Sequence, residues 1–98
     1  MKNSHVAVTN VIACCKMIKN ETEAQGMRNA NTRDCAAIMK YFAFLEEELA
    51  KPDHDLDEYK GALKVLEYRT QNELFQQPSF DSISSIGPNG AVIHYKPS

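Results

Sequence analysis

One histidine in this sequence sits where an imidazole can be aimed. Gly87-Pro88-Asn89-Gly90 separates two stretches rich in β-branched residues, and His94 lies in the middle of the second. Proline presets the first corner of a turn, and Asn-Gly tolerates the positive φ that closes it. The pattern predicts strand, tight turn, strand over residues 79–97, an antiparallel hairpin with His94 on a stiff backbone. An imidazole held that way can act as a general acid or base, or donate a hydrogen bond to developing charge. In an apolar strand it can equally be a satisfied structural side chain. The chain ends four residues after His94, so the groups it would work with are expected from elsewhere.

Other arrangements that could do chemistry fall short. His5, His54 and His94 belong to distant segments with no paired spacing, so they do not read as a zinc site. The acidic run Asp53-His54-Asp55-Leu56-Asp57 invites a calcium reading. An EF-hand counted from Asp53 needs glycine at position six and glutamate at position twelve, where this chain has Glu58 and Lys64. The run reads as a solvated loop ending in a helix cap. Ser82, Ser84 and Ser85 lie in a strand-like pattern, without a nucleophile elbow. Cys14 and Cys15 are adjacent and Cys35 is alone, in neither a C-x-x-C nor a zinc-finger pattern. Three reduced, partly buried thiols are expected, with Cys35 packing as a small hydrophobe.

The elements that must position His94 follow from local signals. Residues 1–14 form a poorly patterned lead-in, although residues 11–18 are apolar enough for a short strand or turn. Asn20 opens a long helix, with Glu23 three positions on as in a capping box. Glu21 and Glu23 also suit the positive end of the helix dipole. Met27, Ala30, Ile38, Tyr41, Leu45 and Leu49 recur at helical spacing and predict its buried stripe. The helix must stop by Lys51, because Pro52 disfavours helical geometry in the residue before it. Asn31 and Asp34 interrupt the stripe, and a carboxylate there needs a partner. Asp34 is expected at the stripe edge, bonded to a neighbouring backbone or an arginine, or as support for the sheet. A second helix is predicted over 58–73, capped by Asp57, with Tyr59, Ala62, Leu63 and Leu66 inward. The order helix, helix, strand, strand predicts an α+β fold, two helices packed on an antiparallel hairpin.

Composition narrows the partners. The 98 residues are 43% hydrophobic and carry a net charge of −2. That charge makes no electrostatic case for nucleic acid or an anionic membrane. No apolar run approaches the roughly 20 residues a membrane span needs. The N-terminal residues lack a signal-peptide core, and the sequence reads as cytoplasmic.

Residues 79–97 resemble the first active-site hairpin of the aminopeptidase P family, metal-dependent Xaa-Pro aminopeptidases with the creatinase or pita-bread fold. Met17-Ile18-Lys19-Asn20-Glu21-Thr22-Glu23, followed by Gly26-Met27-Arg28-Asn29-Ala30, resembles the entry to that family's first catalytic-domain helix. Phe42-Ala43-Phe44-Leu45-Glu46 and Glu67-Tyr68-Arg69 fall where the family has comparable helix segments. The likeness runs from about residue 15 to 97, so residues 15–98 read as the N-terminal portion of the catalytic domain.

The resemblance implies a hydrolase that removes the N-terminal residue preceding proline. It assigns His94 to the active site, contacting substrate and assisting proton movement, and Phe80 to the wall near the substrate's first residue. It implies two divalent metal ions, manganese or zinc, for the whole enzyme. The family's ligands (two aspartates, a histidine and two glutamates) lie downstream of the hairpin, so this chain is expected to hold no metal and to be inactive alone. The family usually has histidine where this chain has Asn31, which bonds but cannot titrate, and an aspartate matching Asp34. A metal-free, peptidase-derived protein-binding module is the alternative. A truncated sheet margin also predicts self-association.

Overall fold

Three helices carry the described part of the chain, residues 10–98 of a computed structural model: α1 (Val11–Met17), α2 (Glu21–Leu49) and α3 (Glu58–Thr70). A single 3₁₀ turn, Gly87–Ala91, follows. The chain divides into two compact units, one ending at Ala30 and one spanning Asn31–Ser98. No helix among the described residues is long and apolar enough to cross a membrane.

In the first unit, residues 11–17 are helical, which corrects the expected strand or turn. The reason is capping. The Asn10 side chain accepts from the Ile12 and Ala13 amides at 3.0 and 3.3 Å, satisfying donors that a helix start leaves open. Lys19 Nζ donates to the carbonyls of Lys16 and Met17, covering the other end. α2 then opens on the expected capping box. The Asn20 amide donates to Glu23 Oε2 and the Glu23 amide to Asn20 Oδ1, both at 2.9 Å. Arg28 pairs with Glu21 at 3.1 Å in the first turns.

In the second unit, α2 from Asn31 onward and α3 lie antiparallel. Asp34 on α2 accepts from Arg69 on α3, Nε at 2.6 Å and Nη2 at 3.0 Å. The Asn72 side chain donates to the Arg33 carbonyl at 3.3 Å. Asp34 therefore has the arginine partner its stripe-edge position demands. The bridge is part-buried and bidentate, which gives it directional value beyond that of an exposed pair. Further along, Lys64 Nζ lies 5.3 Å from the Phe44 ring centre and 5.2 Å from that of Tyr68, so a cation joins rings of both helices. α3 starts at the Asp57 cap, which accepts from the Lys60 amide at 2.7 Å. It ends at Thr70, a little short of the expected residue 73. α2 ends ahead of Pro52, as expected.

The helices touch through small residues. Ala37 is 2% exposed, and Gly61 is the buried residue of α3. Ile38, Tyr41 and Leu45 are half-buried, but Met27, Ala30 and Leu49 of the expected stripe are exposed. On α3, Ala62 and Leu66 turn inward while Tyr59 and Leu63 are largely exposed. Cys35, expected to pack as a small hydrophobe, is exposed; at 100° per residue it falls off the face shared by Asp34, Ala37, Ile38 and Tyr41.

The antiparallel hairpin is absent: no strand occurs among the described residues, which corrects the α+β assignment for this chain. Backbone donors explain it. Pro88 has none. The Ile86 amide goes to the Glu58 side chain. Those of Asn89, Val92 and Tyr95 close local turns onto the carbonyls of Ile86, Asn89 and Val92. These donors are not available to a ladder. A lone two-stranded hairpin is also marginal without further strands. Residues beside the turn are extended, Ile86 at φ −122°, ψ 139° and Val92 at φ −87°, ψ 116°. The flanks still meet through a Lys96–Asp81 ion pair at 2.7 Å.

A methyl group at Gly61 would stand 2.7 Å from the Tyr41 hydroxyl oxygen and 3.3 Å from Ser84 Oγ. Alanine gains about 1 kcal/mol in helix propensity, while overpacking costs about 1–3 kcal/mol. Gly61→Ala should therefore lower stability by about 1 kcal/mol, and Tyr41→Phe in the same chain should reverse the sign. Urea melts of the single and double variants measure this. A Gly61→Ala chain that is more stable than wild type would show that no close approach exists.

Candidate functional site

The 86–95 segment is held to α3 by one carboxylate. Glu58 is the first residue of α3, next to the Asp57 cap, and Gly61 lies three positions on along the same face. Ser84 approaches Gly61, and the chain then reaches Glu58. Oε1 accepts from the Ile86 amide and from Asn89 Nδ2 at 3.1 Å. Oε2 accepts from Asn89 Nδ2 at 3.0 Å and from the Tyr95 hydroxyl. Asn89 Nδ2 also lies 3.1 Å from the Tyr95 oxygen. The Tyr95 hydroxyl foremost, and then the Ile86 amide, hold the Glu58 carboxyl below its usual range against partial burial. The same bond, with burial, pushes the Tyr95 phenol up.

His94 lies inside this clamp, between the tied residues Asn89 and Tyr95. It is exposed and has φ +56°, in the left-handed region that histidine enters more readily than most residues. With the Tyr95 amide donating to the Val92 carbonyl at 3.3 Å, residues 92–95 form a turn rather than the expected strand. Phe80 is 73% exposed. No hydrogen bond or ring contact joins it to His94 among the described residues. The sequence pattern missed the roles of Glu58, Asn89 and Tyr95. Glu58 resembles an ordinary dipole-compensating first-turn acid and Asn89 an ordinary turn residue. The available signal was Tyr95, whose hydroxyl needs a partner when its ring is covered.

Other candidates resolve into local structure. Asp55 pairs with Lys60 at 2.6 Å, and that bond holds its carboxyl below the usual range. The acidic run is thus an ion pair and a cap. His54 is exposed, and His5 lies outside the described residues. A recess of about 530 Å³ in the first unit is lined by Val11, Ile12, Cys15, Lys16, Ile18 and Glu23, and includes neither Phe80 nor His94. Among the described residues no three His, Cys, Asp or Glu side chains come together in a way that could hold a metal ion. The residues present do not fit a dinuclear centre by themselves.

The signs of the two shifts bracket the clamp in pH. A lowered Glu58 pKa contributes stability that is complete above the ordinary glutamate value, about 4.3, and is lost as pH falls through the folded value. A raised Tyr95 pKa contributes stability below about 10 that is lost as pH rises through its folded value. NMR shifts of the Ile86 amide and Tyr95 ring should therefore be flat near neutrality and move together at both extremes. Glu58→Gln should remove the acid step; an acid step unchanged in that variant would assign it to another group.

The model of metallopeptidase family M24 matches residues 25–98. The chain is 56% identical over 86 residues to the Probable Xaa-Pro aminopeptidase P of Penicillium rubens, covering 88% of this chain and 14% of the relative. It is 54% identical over 94 residues to the protein of that name in Aspergillus fumigatus, covering 95% and 14%, and 50% identical over 90 residues to that of Neurospora crassa, covering 92% and 13%. No solved structure matches significantly. The chain spans about one-seventh of the length of these curated relatives. The family model covers about three-quarters of the chain, including α3, Phe80 and His94, and with relatives more than 50% identical across most of it the chain belongs to metallopeptidase family M24.

Proposed function

We propose that these residues form the front part of the catalytic domain of a metal-dependent Xaa-Pro aminopeptidase, which removes the N-terminal residue preceding proline. The observation that carries this is the 56% identity, across 88% of the chain, to a relative named for that activity. His94 contacts the substrate. Its exposed imidazole, on a turn tied at Asn89 and Tyr95, donates a hydrogen bond toward the scissile carbonyl oxygen as charge develops there. Phe80, also exposed, forms part of the wall beside the substrate's first residue. Two divalent ions, manganese or zinc, would supply an activated hydroxide in the whole enzyme. No cluster of ligands for them occurs among the described residues, so no step assigned to this chain runs through them. The cytoplasm is the compartment that favours three unpaired thiols such as Cys14, Cys15 and Cys35.

The test is a graft. This chain replaces the corresponding segment of the Penicillium rubens relative, and the hybrid is assayed on an Xaa-Pro peptide with manganese. The graft should be active, His94→Ala should lower kcat about 100-fold, and the 98-residue chain alone should hydrolyse nothing. A folded but inactive graft, or one indifferent to His94→Ala, would overturn the reading.

Ile18, Phe80 and Ile93 are 81%, 73% and 85% exposed. They are among 16 large hydrophobic side chains exposed in the described residues, more apolar surface than a chain of this size leaves in water at low cost, and in this reading the rest of the catalytic domain covers it. The isolated chain should therefore self-associate, with light scattering giving a mass above 11.0 kDa that rises with concentration. A monodisperse monomer at high concentration would count against that cover.

A further inference from the structure

We propose that Glu58 is a positioning residue for His94: its carboxylate, spanning the Ile86 amide, the Asn89 side chain and the Tyr95 hydroxyl, sets the turn from which the imidazole projects. The proposal rests on the assignment of His94 to the site and deepens it.

Three observations carry it. First, the donors come from both ends and the middle of one segment, so a single group spans residues 86–95 and fixes their spacing. An imidazole on a free chain end samples many orientations; one between two tied residues samples few. Second, His94 has φ +56°. A side-chain-bearing residue keeps that backbone only where its surroundings over-determine it. The surroundings here are the Tyr95 amide bonded to the Val92 carbonyl and the Tyr95 hydroxyl bonded to Glu58. Third, Glu58 is itself fixed. It sits on the first turn of α3, beside the Asp57 cap and one turn from Gly61, where Tyr41 and Ser84 converge. The chain of constraint runs from the helix pair through the carboxylate to the turn, and Glu58 touches no expected reacting atom.

Glutamine at this position tests the idea at nearly unchanged size. Its amide nitrogen cannot accept from Asn89 Nδ2, and the Tyr95 hydroxyl must turn from donating to accepting to meet it, so one end of the clamp loses a bond and the charge that strengthened the other. In the active graft, Glu58→Gln should lower kcat about tenfold or more while KM stays within about twofold, as expected for a misaimed group. Glu58→Asp, which keeps the charge with a shorter reach, should fall between the two. In a His94→Ala background Glu58→Gln should cost nothing further. A residue that merely supports the fold gives losses that add, so additive losses, or wild-type kcat in Glu58→Gln, would overturn the proposal.

A second measurement stands apart from activity. Amide exchange in this 98-residue chain should quicken about tenfold at Ile86 and Tyr95 in Glu58→Gln and stay unchanged at Ala37. Unchanged exchange at Ile86 and Tyr95 would overturn the clamp, and faster exchange at Ala37 as well would reduce it to general support. If His94→Ala leaves the graft fully active, the functional reading fails, and the exchange pattern alone then decides whether Glu58 sets the turn.

Discussion

A close approach at Gly61 constrains how the second unit packs. Three pieces of chain meet there: α3 itself, Tyr41 of α2 and Ser84 of the C-terminal segment. A helix-interior glycine is a poor choice for α3 in isolation, at about 1 kcal/mol against alanine. It earns its place through approach distance, since a methyl group would stand 2.7 Å from the Tyr41 oxygen. With Ala37 as the buried residue of α2, the helix contact is built from small groups. The larger apolar residues spread around it, half-buried or exposed. That is a thin core for one domain.

Polar ties do the work that a larger core would otherwise do. Asp34 and Arg69 bind the two helices at one end, and the Lys64 cation joins the Phe44 and Tyr68 rings further along. Glu58 then fastens the C-terminal segment through its two oxygens. The Asp34–Arg69 bridge and the Asn89 and Tyr95 bonds to Glu58 are part-buried, where a bond is stronger than in open water but ions are not stripped of solvent; the Ile86 amide bond is exposed. The result orders a segment with no secondary structure beyond one 3₁₀ turn. In the proposed reading that order matters because an exposed imidazole can be aimed only if its backbone stays put.

Much of the helical framework was legible. Asn20 with Glu23, Asp57, and the break before Pro52 act over at most four residues, and each did in the structure what its chemistry required. Asp34 on a core stripe demanded a partner and has Arg69. The hairpin was not legible, although its residues are good strand and turn formers. Strand propensity describes fit to a pleated, half-buried surface, and nothing within residues 79–97 supplies that surface. The turn residues folded as a turn, while the flanks stayed extended and unpaired. The ends of the α2 stripe failed for a related reason: apolar spacing marks a face, but its burial needs a neighbour along its whole length; Cys35 lies off that face.

By itself, the sequence determined where α2 and α3 begin, where α2 stops, where the chain turns, and the family resemblance carried by residues 15–97, because these reside in local order; α1, where a strand or turn was expected, is not among them. Only the tertiary structure decided that Glu58 is an acceptor for the C-terminal segment, that His94 takes a left-handed turn, and that Gly61 is a meeting point. Glu58 reaches Ile86, Asn89 and Tyr95 across 28, 31 and 37 positions. No short-range preference encodes a contact at such separation; it exists only once packing has brought a carboxylate and its donors within bonding distance.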